Sequence, residues 1–260
     1  MPHYDVDGVR LEYAWHGPRP DQAPTIVFLH EGLGCVSMWR DFPAELAAAT
    51  GLGALVYSRR GYGTSDPCEL LRQPDFMHVE GLEVLPRLVE LAGLGDFLLV
   101  GHSDGASIAL IYAGNPAGYG RDGLKGVMVE APHVMVEEIS VQGIKQAHRA
   151  FENGDLRQRL ARHHGDNVDC AFYGWSLVWL QNDFAQFNIM DYVGRIEVPL
   201  QVIQGEGDDY GTPGQLAAIG RALGDGVELN LWTDCGHAPH QEKPREVLAA
   251  MTRFIGETLG

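Results

Sequence analysis

Ser103 occurs in a setting that could make its hydroxyl a nucleophile. It is the central residue of the pattern Gly-His-Ser-Asp-Gly at 101–105, which follows the apolar run 97–100 and precedes a stretch with helical spacing from Ala106. A strand, a tight turn and a helix in this order project the serine above the strand end, while the two glycines keep other side chains away from it. The helix would also direct its unpaired N–H groups and positive dipole end towards the hydroxyl oxygen. An incidental serine in a glycine-rich turn is the alternative, and the flanking strand and helix favour the nucleophile.

A serine hydroxyl reacts poorly unless a neighbouring base removes its proton, so a histidine and an acid should follow along the chain. Asp208 follows a strand-like run at 202–204 that ends in a glycine, and His237 comes just after the strand-like run 227–232. Three residues in the order Ser, Asp, His, each beyond the end of a strand, are typical of a catalytic triad at one edge of a parallel sheet. The sequence therefore predicts Ser103 as nucleophile, His237 as base and Asp208 as acid.

The attack of such a serine on a carbonyl places negative charge on an oxygen, which needs two N–H donors nearby. One donor is expected from the main chain of Asp104, the residue after the nucleophile. The other is expected from the loop His-Glu-Gly-Leu-Gly at 30–34, which follows the apolar run 25–29.

The elements that must position these residues can be read from the hydrophobic pattern. Asp7-Gly8 between two short runs predicts an N-terminal hairpin, because both residues tolerate positive φ. Apolar runs rich in β-branched residues predict central strands buried on both faces, at residues 25–30, 54–58, 97–101, 127–130, 200–204 and 227–232. Segments with helical spacing lie between them, at residues 38–49, 77–91, 106–113, 215–223 and 245–255. Strands that alternate with helices predict an α/β fold with a mostly parallel, doubly wound sheet.

The alternation of strands and helices breaks at residues 134–194, which have helical character, many aromatic residues and no convincing strand. We interpret this segment as a helical cap, or lid, inserted into a sheet domain made of residues 1–133 and 195–260. The chain length of 260 residues suits one domain with an insertion better than two independent domains.

Taken together, these motifs resemble those of the α/β-hydrolase superfamily over nearly the whole chain. The matching segments are 30–34, 59–65 (Arg-Arg-Gly-Tyr-Gly-Thr-Ser), 101–105, 205–212, and 236–239 (Gly-His-Ala-Pro) followed by Glu242 and Pro244. The resemblance implies the triad of Ser103, Asp208 and His237. It also implies that the N–H groups of Gly32 and Asp104 form the oxyanion hole.

Two positions leave a choice within this resemblance. The family pattern sets the acid three residues after the glycine that ends its strand, which selects Asp208 over the adjacent Asp209. Glu31 stands where the family usually has a glycine. Its carboxylate could bond locally, for example with His30, or reach the mouth of the pocket and repel anionic substrates.

Other residues are candidates for substrate binding. Trp175 and Trp179 belong to an aromatic cluster that could simply attach the cap helices to the sheet, although some of these rings should line a pocket below the cap. His133 follows the run 127–130 and could face a pocket or the edge of the core. His163 and His164 match no zinc spacing, and the predicted mechanism uses no metal and no cofactor.

Charge and composition restrict the partners. The formal net charge is −16, and a field of that sign repels phosphate backbones and anionic lipid headgroups, so neither nucleic acid nor a membrane is expected as a partner. No signal peptide or spanning segment is recognisable, which favours a cytoplasmic protein. The four cysteines are widely spaced and are expected to be reduced thiols. The oligomeric state stays open, a homodimer included.

The sequence thus predicts a serine hydrolase that cleaves a small to medium carboxylic ester, lactone or thioester with an apolar acyl part, through an acyl-enzyme. The alternative enzyme is a C–C bond hydrolase of the meta-cleavage type, which uses the same triad below a lid. The alternative from another class is a non-catalytic receptor that uses the same pocket to bind a ligand.

Overall fold

The computed structural model of the protein describes residues 1–118 and 120–260. An eight-stranded sheet runs through it in the order β1-β2-β4-β3-β5-β6-β7-β8. The first two strands pair antiparallel with each other and β2 pairs antiparallel with β4, whereas all pairs from β4 across to β8 are parallel. The strands are β1 His3–Val6, β2 Val9–His16, β3 Thr25–Leu29, β4 Gly53–Tyr57, β5 Phe97–His102, β6 Leu124–Glu130, β7 Leu200–Gly205 and β8 Val227–Trp232.

Helices connect the parallel strands, as the alternating pattern predicts. They are α1 Phe42–Thr50, α2 Phe76–Val79, α3 Leu85–Leu91, α4 Asp104–Ala113, α5 Glu138–Asn153, α6 Leu156–His164, α7 Val168–Trp179, α8 Met190–Val193, α9 Gly214–Leu223, α10 Pro239–Glu242 and α11 Pro244–Leu259. A π-helical turn, Glu80–Val84, joins α2 to α3. The predicted α/β fold with a mostly parallel, doubly wound sheet is confirmed.

Burial on both faces of the sheet explains the apolar runs. In β3 the side chains of Ile26 and Phe28 enter one core with α1 and α11, whereas Val27 and Leu29 enter the opposite core with α3 and α4. Since side chains alternate along a strand, a strand between two helical layers must be apolar at every position.

The prediction of a doubly buried strand is wrong for β8. This strand lies at the edge of the sheet, and Leu229 and Leu231 are 41% and 45% exposed. Apolar residues in this strand therefore do not all enter a core.

Residues 134–194 connect β6 to β7 and contain α5, α6, α7 and α8. Within this segment the only strand-like pairing is an isolated bridge between Met135 and Asn188. Aromatic rings pack its helices together, as in the stacked pair Phe151 and Phe172 with ring centroids 3.8 Å apart. The interpretation of this segment as a separate cap domain stays a prediction, and we call it the helical insertion.

The parallel topology positions the candidate site. Parallel strands connected by right-handed crossovers bring all their carboxyl ends to one edge of the sheet, where ligands of such sheets bind. The ends of β3, β5, β6 and β7 therefore meet below the helical insertion. Among the described residues, no helix is both long and apolar enough to cross a membrane.

Candidate active site

Ser103 lies in the sharp turn between β5 and α4, with φ of 53° and ψ of −116°. A positive φ is uncommon for a residue with a side chain, costs ~1–3 kcal/mol and clusters at functional sites. The flanking glycines are required by close packing: a Cβ on Gly101 would meet the main chain of α4, and a Cβ on Gly105 would meet the main chain of Leu29 and His30. The turn therefore has the strained form that the pattern at 101–105 predicts.

A chain of hydrogen bonds connects Ser103 to His237 and Asp208. The Ser103 Oγ lies 3.0 Å from His237 Nε2, and His237 Nδ1 lies 2.8 Å from Asp208 Oδ1. Burial raises the pKa of the Asp208 carboxyl, but the hydrogen bond and charge of His237 lower it by a larger amount. The net shift of the pKa is therefore downward, and the carboxylate is ionised. Because a carboxylate only accepts, Nδ1 carries the imidazole proton and Nε2 is free to accept the Ser103 proton.

The main chain beyond β7 selects Asp208 rather than its neighbour. Asp208 is 5% exposed, and its Oδ1 accepts hydrogen bonds from the N–H groups of Tyr210 at 2.8 Å and Gly211 at 3.2 Å. The Gln204 side chain donates to Oδ2 at 3.4 Å. Asp209 is exposed. These bonds fix the Asp208 carboxylate in the orientation that meets the imidazole.

Two N–H groups of the predicted oxyanion hole border the same space. Asp104 is the first residue of α4, so its N–H has no acceptor within the helix. Gly32 lies in the loop after β3, and a Cβ on this residue would collide with the Trp175 indole. A glycine is therefore needed here for the insertion to approach the loop closely.

Arg59 holds this loop from below, a role that the sequence analysis missed. It is fully buried, and its guanidinium donates to the carbonyl oxygens of His30 and of Glu31, the latter at 3.0 Å. Its main-chain N–H also donates to His30 Nε2 at 3.1 Å. The sequence did contain a signal for this role. Arg59 directly follows a predicted buried strand, and that strand ends at the edge of the sheet where the candidate site lies.

Glu31 faces His102 rather than His30. Its Oε2 lies 3.6 Å from His102 Nδ1, and His102 Nε2 donates to the carbonyl oxygen of His237 at 2.7 Å. Burial disfavours both charges, but each partner stabilises the other. The pKa of Glu31 falls well below its usual range and the pKa of His102 rises to about 9. An ion pair thus lies beside Ser103, with 3% of the His102 side chain and 18% of the Glu31 side chain exposed. His102 is a second residue that the sequence analysis missed.

His133 and Trp179 lie beside His237 and Asp104, respectively. His133 Nε2 donates to the Tyr210 carbonyl at 3.0 Å, and burial lowers the pKa of this imidazole to about 4, so it is neutral at neutral pH. The Trp179 indole N–H donates to Asp104 Oδ1 at 3.2 Å. The ring centroids of His133 and Trp179 are 5.1 Å apart. Burial raises the pKa of the Asp104 carboxyl to about 6.

A second buried pair supports the turn from the β6 side. The Glu130 carboxylate accepts from the His240 ring at 2.6 Å and from the His240 main-chain N–H at 3.2 Å, and neither side chain is exposed by more than 2%. The Glu130 carbonyl accepts the N–H of Ser103 at 2.9 Å. Glu130 thus connects α10 to the strained turn.

These residues surround one cavity of about 250 Å³. Eight of the nine predicted site residues line it, and Asp208 lies behind His237. Most of the remaining lining is apolar and comes from the loop after β3 and from the helical insertion, namely Leu33, Met38, Ile144, Leu156 and Leu160. Such a space lies just below the range of pockets for drug-sized molecules, which is ~300–1,000 Å³.

The histidines of the insertion have structural partners. His164 accepts from the Gly63 N–H at 3.0 Å and donates to the Leu33 carbonyl at 2.9 Å. His163 Nδ1 lies 2.9 Å from Ser37 Oγ. In the part of the chain that the structure describes, no three His, Cys, Asp or Glu side chains cluster as a metal site requires.

Comparison with known proteins agrees with this architecture. A family model described as the alpha/beta hydrolase family matches residues 26–250. A proline iminopeptidase of Lactobacillus helveticus (strain DPC 4571) is 22% identical, over 96% of this chain and 95% of its own length.

Solved structures with low sequence identity share the fold. One comes from a study of carboxylesterases of the thaumarchaeon Nitrososphaera gargenis, with 17% identity, a TM-score of 0.79 and coverage of 99% of both chains. The enol-lactonase from Burkholderia xenovorans LB400 has 21% identity and a TM-score of 0.73, and covers 98% of this chain and 100% of its own.

Proposed function

We propose that this chain, which belongs to the alpha/beta hydrolase family, is a serine hydrolase that cleaves carboxylic esters of small to medium apolar substrates through an acyl-enzyme. The observation that carries the proposal is the hydrogen-bonded chain from Ser103 through His237 to Asp208, with distances of 3.0 and 2.8 Å. Those distances lie within the range at which a base can take the proton of a nucleophile.

In the proposed mechanism, His237 Nε2 removes the Ser103 proton while Oγ attacks the carbonyl carbon. Asp208 keeps the proton on Nδ1 and stabilises the imidazolium that forms. The imidazolium then protonates the leaving alkoxide as the ester C–O bond breaks. A water molecule, deprotonated by His237, cleaves the acyl-enzyme and restores Ser103.

The developing oxyanion would be bound by the N–H groups of Asp104 and Gly32. The N-terminus of α4 adds its positive dipole end, because Asp104 is its first residue. The Arg59 bonds to the two preceding carbonyls keep the Gly32 loop in place. Donors held in position before the reaction need no reorganisation when the charge appears.

The lining of the cavity supports an uncharged substrate. Glu31 and Asp104 contribute carboxyl groups to it, and no lysine or arginine is present among the described residues that line it. The charge of Glu31 is balanced by His102, which leaves Asp104 to repel anions above its pKa of about 6. A dienoate, the substrate type of the C–C hydrolases, carries a carboxylate and would meet no lysine or arginine among these lining residues, and the protonated His102 is already paired with Glu31. This argument favours the ester over the C–C bond.

A fluorophosphonate probe and a substrate panel test the proposal. The panel holds nitrophenyl esters of increasing acyl length, a lactone, a thioester, a dienoate diketone and, because one relative is a proline iminopeptidase, a prolyl anilide. We expect the probe to label the wild type and not Ser103→Ala, and we expect Ser103→Ala and His237→Ala to lower kcat on the short esters by at least ~10³-fold.

The other outcomes separate the rivals. Labelling with turnover of the diketone alone would support the C–C hydrolase. A folded wild type that the probe does not label would support the receptor and overturn the proposal.

A further inference from the structure

Two cysteines from distant parts of the chain lie against each other outside the candidate active site. Cys68 belongs to the segment between β4 and α2, and Cys170 belongs to α7 of the helical insertion. The Cys68 N–H donates to Cys170 Sγ at 3.0 Å, and Cys170 Sγ lies 3.1 Å from the Cys68 carbonyl oxygen. The Cys68 Sγ in turn lies 3.8 Å from the Cys170 carbonyl oxygen. Both are free thiols.

The two sulfur atoms share one small space. A Cβ on Gly61 would lie 2.7 Å from Cys68 Sγ and 3.1 Å from Cys170 Sγ, so both sulfur atoms lie against the same side of Gly61. A residue larger than glycine at this position would push the sulfurs aside. The close approach therefore depends on the main chain that follows β4.

Cys68 has the surroundings of a reactive thiol. The Arg72 guanidinium lies 3.5 Å from its sulfur, and the side chain is partly exposed. Contact with the Cys170 thiol and the charge of Arg72 lower the pKa of Cys68, which favours its thiolate. The pKa of Cys170 is raised, so its thiol keeps its proton and can act as the resolving partner.

We propose that Cys68 and Cys170 form an oxidation site for small hydroperoxides, at which a reversible disulfide connects the helical insertion to the sheet core. The Cys68 thiolate attacks the terminal peroxide oxygen, the O–O bond breaks, and an alkoxide or hydroxide leaves and takes up a proton. The resulting sulfenic acid is then attacked by the Cys170 sulfur, which loses its proton as hydroxide leaves the Cys68 sulfur and water forms. Two thiols and one hydroperoxide give one disulfide, one alcohol or water molecule, and one water molecule.

The contacts around the pair indicate what the disulfide would restrain. Asn167, directly before α7, donates to the carbonyls of Gly63 and Ser65 at 3.2 and 2.6 Å, so the insertion already packs on this loop. Trp175, which lines the cavity, lies in α7 as well. A disulfide between residues 102 positions apart would hold α7 against the core and limit any movement of the insertion away from it.

Oxidation of the purified wild type by hydrogen peroxide at neutral pH tests the proposal, with thiol titration in denaturant and intact mass as readouts. We expect four thiols to fall to two, the mass to drop by about 2 Da, and a peptide linking Cys68 to Cys170 to appear and to vanish with dithiothreitol. Cys35 and Cys235 serve as internal controls, because burial raises the pKa of each to about 11.

Single variants separate the steps. In Cys170→Ser the oxidised Cys68 should be trapped by dimedone as a sulfenic acid, and Cys68→Ser should keep its three remaining thiols under the same treatment. Neither residue lines the cavity, so both variants should keep the activity of the reduced wild type. Retention of four thiols in the wild type, direct conversion of Cys68 to the sulfinic acid, or a disulfide involving Cys35 or Cys235 would each overturn the proposal.

Discussion

Replacing Glu31 by Gln removes the carboxylate that faces His102, and the effect on stability can be worked from the structure. The pKa of His102 is raised from 6.5 to about 9, and the side chain is only 3% exposed, so little solvent screening applies. At ~1.36 kcal/mol per pKa unit, the raised pKa corresponds to about 3 kcal/mol of folding free energy. The same interaction also lowers the pKa of Glu31. Its free energy is counted only once, from the pKa of His102, because that pKa falls in an accessible pH range.

The sign follows from the direction of the shift. A pKa raised on folding contributes stability that is fully present below the unfolded value and is lost as the pH rises through the folded value. The His102 contribution is therefore present below about pH 6.5 and lost towards about pH 9. In Glu31→Gln, burial favours the neutral imidazole of His102, and only the Glu130 charge and the bond to the His237 carbonyl still oppose it. The variant should be less stable by about 3 kcal/mol near pH 6.5, and this gap should narrow as the pH rises.

Urea unfolding of both proteins across this pH range measures the gap, and titration of the His102 ring by NMR measures its pKa directly. The matched control is Glu197→Gln, since Glu197 is an exposed glutamate outside the candidate site. Groups that titrate equally in both proteins cancel in the difference. A gap between wild type and Glu31→Gln that stays constant with pH, or a His102 ring that titrates near 6.5 in the wild type, would refute the ion pair.

Three further perturbations test the geometry. Asp208→Asn should lower kcat by ~10²–10⁴-fold with little change in KM, because an amide can hold the imidazole in the wrong tautomer. Asp209→Asn should stay within a few-fold of wild type, and steady-state kinetics on a short ester would show the reverse if the acid is Asp209. Gly105→Ala should destabilise the fold by ~3 kcal/mol, because its Cβ would meet the main chain of Leu29 and His30 at the end of β3. Gly256→Ala on the exposed side of α11 should stabilise the fold by ~0.5–1 kcal/mol, and denaturant unfolding that ranks the two variants equally would contradict this packing. Trp175→Ala should change the preference among acyl chains by ~1–3 kcal/mol, with a smaller effect on kcat/KM for an acetyl ester. Equal losses in kcat/KM on all chain lengths would mean that the indole supports the fold instead.

Residues whose roles follow from local pattern were predictable from the sequence. The turn at Ser103 is specified by a strand, two glycines and a helix within a short stretch, and the resulting φ of 53° needs no distant residue to be anticipated. The N-terminal hairpin is similar, because Asp7 and Gly8 have the positive φ values that their residue types favour. The order of strands and helices was predictable for the same reason, since hydrophobic periodicity is a property of neighbours in sequence.

The partners of several other polar side chains were decided by the tertiary structure alone. The sequence left open whether the Glu31 carboxylate bonds locally or reaches the pocket mouth. In the structure Glu31 lines the cavity and is paired with His102, because β3 lies beside β5. Cys68 and Cys170 are far apart in the chain, and only the packing of α7 on the loop after β4 brings them together.

The sequence by itself thus determined the α/β class, the strained serine turn and the set of residues from which a triad could be drawn. The tertiary structure decided the edge position of β8, the hydrogen bonds that orient the Asp208 carboxylate, and the pairing of Glu31 with His102 and of Glu130 with His240. The physical reason is the distance along the chain over which each effect acts. Propensity, turn chemistry and side-chain alternation act over a few residues, whereas desolvation and pairing of charges depend on which distant segments the fold places in contact.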